Sequence, residues 1–149
     1  MKEQCKTYLR LNKKTITCAE SCTGGLIASM ITELSGSSDI FNGSIVSYSN
    51  EIKKKKLNVK KENLENYGAV STQVVEDMLT GSIKMFDADY SLATSGIAGP
   101  TGATKNKPVG TVVIGVGSKN GDKIVEVYNF NGNRKEVQIQ AAKTSFKIF

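Results

Sequence analysis

A strand-like run that passes into a helical pattern within a few residues is the feature that most constrains the fold. Residues 15–19 form the strand-like run, and a small polar turn follows it. Apolar residues then recur with the spacing of one buried helix face: Leu26, Ile27, Met30, Ile31 and Leu34. The turn places the hydroxyl of Ser21 beside unpaired N–H groups at the positive end of a helix dipole. We therefore expect the turn to attack a carbonyl or to hold a phosphate.

Composition narrows the chemistry that such a turn can perform. The chain has 149 residues, which predicts one domain over 1–149, and it contains no histidine. The lack of histidine excludes Ser-His-Asp, Cys-His and His-based zinc sites, so a hydrolase of this sequence would use Lys, Tyr, Asp or Glu for proton transfer. The three cysteines have neither disulfide-framework nor zinc-knuckle spacing. We expect a reduced, cytoplasmic protein with no metal, no cofactor and no membrane segment.

The formal net charge of +6 raises the question of an anionic partner. Most of the excess comes from Lys53–Lys56 with Lys60 and Lys61, and glutamates are mixed among these lysines. No aromatic residues suited to base stacking are interleaved with them. The pattern favours a solvated helix face, so nucleic acid is not an expected partner.

The rest of the chain alternates between strand and helix patterns. This alternation predicts a single three-layer α/β/α domain, and a hairpin signal at Asn120-Gly121 makes its β-sheet mixed. Ser49 or Asn50, Ser71 and Asn133 are candidate N-caps. The expected elements are helices at 3–12, 24–34, 51–57, after Ser71 and after Asn133, a turn at 61–67, and strands at 15–19, 44–47, 90–94, 110–117 and 123–130. The helix at 3–12 should turn Cys5, Tyr8 and Leu9 inward.

A second glycine-rich loop, residues 95–102, follows the strand at 90–94. Ligands of α/β sheets bind outside the carboxyl ends of the strands. The loop at 22–25 and the loop at 95–102 are therefore expected to form one pocket. The loop residues that we expect to line it are Thr23, Gly24, Gly25, Gly96, Ile97, Ala98 and Gly99.

Ser21 is the leading candidate nucleophile, and a lysine held neutral is the base that this composition allows. Lys53 lies in the first turn of the helix after Asn50, where the helix dipole disfavours an ammonium ion. Helix register alone does not separate Lys53 from Lys54, and a surface position for Lys53 is an equal alternative. Tyr48 ends the preceding strand and offers a phenol that bridges serine and lysine, or a tyrosine at the edge of the core.

The other polar residues of the turn have alternative roles. Thr23, Gly24 and Gly25 suit an oxyanion or phosphate through their N–H groups, or they only form a tight turn. Cys22 is either a competing nucleophile or, more in keeping with its size, a buried structural cysteine. Glu20 either orients a polar group or caps the turn.

Five stretches of the chain, taken in order, resemble the CinA C-terminal domain family, which also occurs as stand-alone nicotinamide-nucleotide amidohydrolases. The resemblance spans nearly the whole sequence. The stretches are Ala19–Gly25, Tyr48–Lys53, Gly68–Ser71, Ser95–Pro100 and Lys107–Val112.

The resemblance implies an α/β fold and the deamidation of nicotinamide mononucleotide to nicotinate mononucleotide and ammonia. It also implies a catalytic group of Ser21, Tyr48 and Lys53, in which Tyr48 relays the serine proton to Lys53. Arg134 follows a glycine-containing element of the family and is a candidate phosphate ligand. A second arginine is usual in the stretch where this chain has Gln138 and Gln140.

The expected partners are the small-molecule substrate and further copies of the chain in a homo-oligomer. Two other functions remain open at this point. One is a competence- or DNA-damage-associated binding protein without catalysis. The other is a nucleotide sensor that binds but does not turn over.

Overall fold

Five strands pair into one mixed sheet in the computed structural model, which describes residues 1–149. The strands are β1 (Ile16–Glu20), β2 (Ile45–Val46), β3 (Tyr90–Gly96), β4 (Thr111–Ser118) and β5 (Lys123–Asn129). Their order in the sheet is β2-β1-β3-β4-β5. Strand β1 is parallel to its neighbours β2 and β3, whereas β4 is antiparallel to its neighbours β3 and β5. The mixed sheet and the hairpin between β4 and β5 confirm the predicted fold class.

Six helices cover the two faces of the sheet and make a single three-layer α/β domain. Helices α1, α2 and α6 pack on one face around Leu9, Ile27 and Phe146, whereas α3, α4 and α5 pack on the other around Leu57 and Met78. The helices are α1 (Lys2–Leu11), α2 (Leu26–Thr32), α3 (Asn50–Leu57), α4 (Lys61–Tyr67), α5 (Thr72–Phe86) and α6 (Arg134–Ile148). No helix combines the length and the hydropathy that a bilayer crossing requires.

The predicted N-caps account for where three helices begin. Ser49 accepts a hydrogen bond from Ile52 N–H at the start of α3, and Ser71 does the same for α5. Asn133 and Glu136 form a reciprocal capping box at the start of α6. These side chains satisfy N–H groups that have no partner within the helix.

Three local expectations were wrong. Helix α2 is shorter than 24–34 because Gly24 and Gly25 have positive φ angles of 59° and 105°, so helical geometry starts only at Leu26. Residues 61–67 form helix α4 rather than a turn. Tyr8 does not point into the core but stays half exposed, with its ring edge-to-face against Tyr90.

Candidate active site

The carboxyl ends of three parallel strands bring the candidate residues to one edge of the sheet. Ser21 follows β1, and its N–H donates to Thr94 O in β3 at 3.1 Å. Ser47 follows β2, and its N–H donates to Glu20 O at 2.7 Å. Since β1, β2 and β3 run in the same direction, the residues that follow them converge, as the sequence predicted.

The structure brings Ser21 and Lys53 into direct contact. Lys53 Nζ lies 2.9 Å from Ser21 Oγ, although the two residues are far apart in sequence. Lys53 is 1% exposed and Ser21 is 7% exposed, so the contact is shielded from bulk water. Nucleophilic catalysis by a serine requires such an arrangement, with a base within hydrogen-bond reach of the hydroxyl.

The surroundings of Lys53 Nζ suit either protonation state. As an ammonium, the group donates to Ser47 O at 2.7 Å, to Tyr48 O at 3.1 Å and to Ser21 Oγ. As a neutral amine, it keeps the two bonds to carbonyl oxygens and its lone pair accepts the hydroxyl proton of Ser21. The site can therefore take up and return a proton without leaving a buried polar group unpaired.

Burial lowers the pKa of Lys53 from 10.5 to about 8. No carboxylate offsets this effect, because none of the ion pairs in the structure includes Lys53. A base with a pKa near the operating pH is the most effective proton acceptor. The electrostatics of the pair thus favour general-base chemistry.

Close packing of α3 on α5 explains why Lys53, and not Lys54, faces inward. A side-chain carbon at Gly81 in α5 would lie only 2.0 Å from Leu57 O in α3, so glycine allows the two backbones to approach. Leu57 is buried and lies four residues, about one turn, after Lys53 on the same face. Lys54 is exposed. The packing resolves the ambiguity that helix register left open.

Tyr48 does not relay between serine and lysine in this structure. Its side chain is 62% exposed, and its phenol oxygen accepts a hydrogen bond from Arg134 at 3.0 Å. The same arginine donates to Gly99 O at 2.8 Å. The expected bridge is unnecessary because Lys53 Nζ reaches Ser21 Oγ directly, and Tyr48 contributes its backbone carbonyl to holding the amine. Arg134 instead joins the Tyr48 and Gly99 loops at the rim of the site.

The side chain of Glu20 caps helix α2. The amide of Gly25 therefore does not have the expected role of binding an oxyanion or phosphate. The carboxylate is 0% exposed and accepts from the N–H groups of Gly25, Ile27 and Ala28 at 2.9–3.2 Å and from the Thr23 hydroxyl at 2.6 Å. Buried carboxylates require such partners. A phosphate or oxyanion therefore has no access to the N–H of Gly25, since the protein's own carboxylate occupies it.

Two amides directly after Ser21 and one in the loop at 95–102 have no hydrogen-bond partner in the protein. Gly24 N–H donates to Ser21 O at 3.1 Å, and Ile97 N–H donates to Thr111 O at 2.8 Å, so neither is free for an oxyanion. Cys22 N–H and Thr23 N–H donate to no protein group, and neither does Ala98 N–H. These three N–H groups are therefore candidate oxyanion donors.

Cys22 is a core residue rather than a second nucleophile. It is 4% exposed and packs among buried apolar residues of the β4–α6 layer. Burial raises the pKa of its thiol to about 12, so the reactive thiolate is scarce at neutral pH. This agrees with the structural alternative.

Ser47 is a contributor to the site that the sequence did not indicate. It holds Lys53 through its backbone carbonyl, and a carbonyl contact leaves no signature in residue type. No three His, Cys, Asp or Glu side chains are grouped as a metal site would require.

A cavity lies elsewhere in the molecule. It has a volume of about 570 Å³ and is lined by Tyr8, Tyr90 and Phe149 at the edge of the sheet where β3 begins. None of the candidate residues lines it. The site is therefore assigned from its chemistry and not from the size of a cavity.

Comparison with known proteins places the geometry in context. The chain is 48% identical over 132 residues to the nicotinamide-nucleotide amidohydrolase PncC of Enterobacter agglomerans, which covers 89% of this chain and 80% of that protein. It is also 48% identical over 137 residues to a CinA-like protein of Endomicrobium trichonymphae, covering 92% of this chain and 32% of that protein. The chain spans about a third of the length of the CinA-like relatives.

Solved structures of similar sequence share the fold. A competence/damage inducible protein from Agrobacterium tumefaciens has a TM-score of 0.95 at 33% identity, covering 99% of this chain and 90% of that one. A CinA superfamily protein from Escherichia coli has a TM-score of 0.93 at 32% identity, covering 98% and 84%. The profile of the CinA C-terminal domain matches residues 1–149. The chain therefore belongs to the CinA C-terminal domain family.

Proposed function

We propose that this protein is a serine amidohydrolase that converts nicotinamide mononucleotide into nicotinate mononucleotide and ammonia. The observation that carries the proposal is the buried contact of 2.9 Å between Lys53 Nζ and Ser21 Oγ, with the pKa of Lys53 lowered to about 8. The name of the PncC relative, at 48% identity, supports the choice of substrate.

Acylation uses the neutral form of Lys53. Ser21 Oγ attacks the carboxamide carbon while the amine of Lys53 takes the hydroxyl proton. The tetrahedral intermediate collapses as the C–N bond breaks, and the ammonium of Lys53 returns its proton to the leaving nitrogen. Ammonia departs, and an ester to Ser21 remains.

Deacylation repeats the same proton transfers with water. Lys53 takes a proton from water, whose oxygen attacks the ester carbon. The C–O bond to Ser21 breaks, and Lys53 returns the proton to Ser21 Oγ. The unpaired amides of Cys22, Thr23 and Ala98 are the proposed donors to the oxyanion in both steps.

Arg134 is the proposed ligand of the substrate phosphate. Its guanidinium lies at the rim of the site, held by the Tyr48 phenol and Gly99 O, and it takes part in no ion pair. Guanidinium N–H groups not used by these bonds remain available for phosphate oxygens. In this proposal Tyr48 acts through Arg134 and through its carbonyl.

Ammonia release from nicotinamide mononucleotide tests the proposal. We expect one ammonia per nicotinate mononucleotide formed, and loss of the reaction in Ser21→Ala and Lys53→Met. Lys54→Met is the matched control, because this exposed neighbour lies on the same helix and should keep full activity. Wild-type rates in Ser21→Ala would refute the mechanism. Turnover of the free amide but not of the nucleotide would refute the role given to Arg134.

The lysine-rich surface does not favour nucleic-acid binding as the function. The α3 lysines other than Lys53 are exposed. Lys55 pairs with Glu51, and Lys61 pairs with Glu65, each one turn away. Such pairs are typical of a solvated helix face.

A further inference from the structure

A side chain of α6 reaches the turn that carries the nucleophile. Gln138 Nε2 donates a hydrogen bond of 3.0 Å to Cys22 O, and no other group donates to that carbonyl oxygen. Gln138 lies four residues after Arg134, so both side chains leave the same face of α6 toward the site. The proposed reaction described above gives Gln138 no role.

The bonded oxygen belongs to the same peptide unit as the N–H of Thr23. In a planar trans peptide, the C=O and the N–H point in opposite directions, so a bond to one end fixes the orientation of the other. Thr23 N–H has no partner in the protein. Gly24 N–H closes the turn onto Ser21 O at 3.1 Å, which leaves the N–H groups of Cys22 and Thr23 beside Ser21.

We propose that Gln138 is a positioning residue that aims the N–H of Thr23 at the developing oxyanion. This inference rests on the proposed function. Donation to Cys22 O also polarises the peptide and makes the N–H at its other end a better donor. Because the oxyanion exists only in the tetrahedral intermediate and the transition states around it, the effect falls on kcat and not on KM.

A neighbouring glutamine provides a matched control. Gln140 lies on the same helix, and its Nε2 also donates to backbone carbonyls, those of Asn131 and Glu136. Neither carbonyl belongs to the loops that form the site. Substitution of either glutamine thus removes hydrogen bonding from an α6 side chain to a backbone carbonyl. Only substitution of Gln138 affects the turn that carries Ser21.

The test compares two reactions in Gln138→Met, Gln138→Glu and Gln140→Met. The first is ammonia release from nicotinamide mononucleotide, for which kcat and KM are measured. The second is phosphonylation of Ser21 by a fluorophosphonate, whose rate is measured by mass spectrometry of the intact protein. In that reaction the Oγ–P bond forms, fluoride leaves and Lys53 takes the proton, so it requires a polarised oxygen but no nicotinamide substrate.

We expect both Gln138 variants to lose about tenfold or more in kcat and in phosphonylation rate, with KM unchanged. Gln138→Glu, which keeps the shape but places an acceptor against Cys22 O, should be the slower of the two. Gln140→Met should match the wild type, and thermal unfolding identifies any variant that has lost its fold. If one Gln138 variant fails to fold, the other decides.

Wild-type rates in a folded Gln138 variant, or a change confined to KM, would overturn the inference. If the wild type is phosphonylated but releases no ammonia, the substrate proposal fails and the labelling rates still decide the role of Gln138. If Ser21 hydrolyses the amide but does not react with the fluorophosphonate, the kcat ratios decide. A wild type that does neither has no oxyanion to position, and both proposals fall.

Discussion

Replacing Lys53 by methionine tests the physical basis of the site, because it removes the amine and keeps an unbranched side chain. Burial lowers the pKa of this lysine from 10.5 to about 8. In the unfolded chain its pKa returns to the ordinary value. Between pH 8 and pH 10.5 the unfolded state therefore binds more protons than the folded state. The stability of the wild type consequently increases as the pH rises through this range.

The size of this effect follows from the interval between the two pKa values. At 1.36 kcal/mol per pH unit, the whole interval corresponds to about 3 kcal/mol, most of which falls between pH 7 and pH 10. Below pH 8 the buried ammonium is at its full energetic disadvantage, and above pH 10.5 the disadvantage disappears. Lys53→Met has no such group and should lack this increase.

Denaturant unfolding at pH 7 and pH 10 measures the difference. Other lysines and the tyrosines titrate in the same range, but their contributions cancel when the wild type is compared with Lys53→Met. We expect the stability of the wild type relative to this variant to rise by roughly 2–3 kcal/mol from pH 7 to pH 10. Lys54→Met should follow the wild type, because that side chain is exposed.

The same titration predicts the pH dependence of activity. The proposed base is the neutral amine, so only about a tenth of the enzyme is active at pH 7; kcat/KM should rise about tenfold per pH unit below pH 7 and level off above about pH 8. Lys53→Met should have no measurable activity at any pH. Parallel stability curves for the wild type and Lys53→Met, or a rate that falls as the pH rises from 6 to 8, would refute the reasoning.

Three further substitutions test neighbouring features. Glu20→Gln should lower the free energy of unfolding by about 2 kcal/mol in urea, because it removes a charged acceptor from buried amides; an unchanged midpoint would contradict the capping role. Gly81→Ala should lower the free energy of unfolding by about 3 kcal/mol and also lower activity, because its Cβ would collide with Leu57 O. Thr80→Ala, on the exposed side of the same helix, should change neither stability nor activity by much. Tyr48→Phe should raise KM about fivefold and preserve kcat; a collapse of kcat would restore a direct role for the phenol.

The layers and the meeting of the two glycine-rich loops could be anticipated because they follow from periodicity and chain direction. A run of apolar residues identifies a buried strand, and a glycine pair after it predicts a tight turn into a helix. Two such turns after parallel strands must meet at one edge of the sheet, which is where Ser21 and Gly96 lie. The candidate caps Ser71 and Asn133 were identified for the same local reason.

The assignment of individual polar groups within the site was less predictable. The sequence offered the amides of Thr23, Gly24 and Gly25 to an oxyanion, and only distances show that the Glu20 carboxylate occupies the one of Gly25. The phenol of Tyr48 was expected near Lys53, but it lies on Arg134. In the sequence, Gln138 differs from the family pattern, but no local feature predicts that its side chain contacts Cys22 O.

Local pattern by itself predicted most of the strands and helices, the two loops that face one another, and that a hydrolase without histidine needs another base. Tertiary packing decided which lysine is the candidate for that base, because the approach of α3 to α5 over Gly81 selects Lys53 and shields it from water. Periodicity specifies the direction of a side chain, whereas the pKa of its charged end depends on the groups that surround it. Those groups come from distant parts of the chain and meet only in the folded protein.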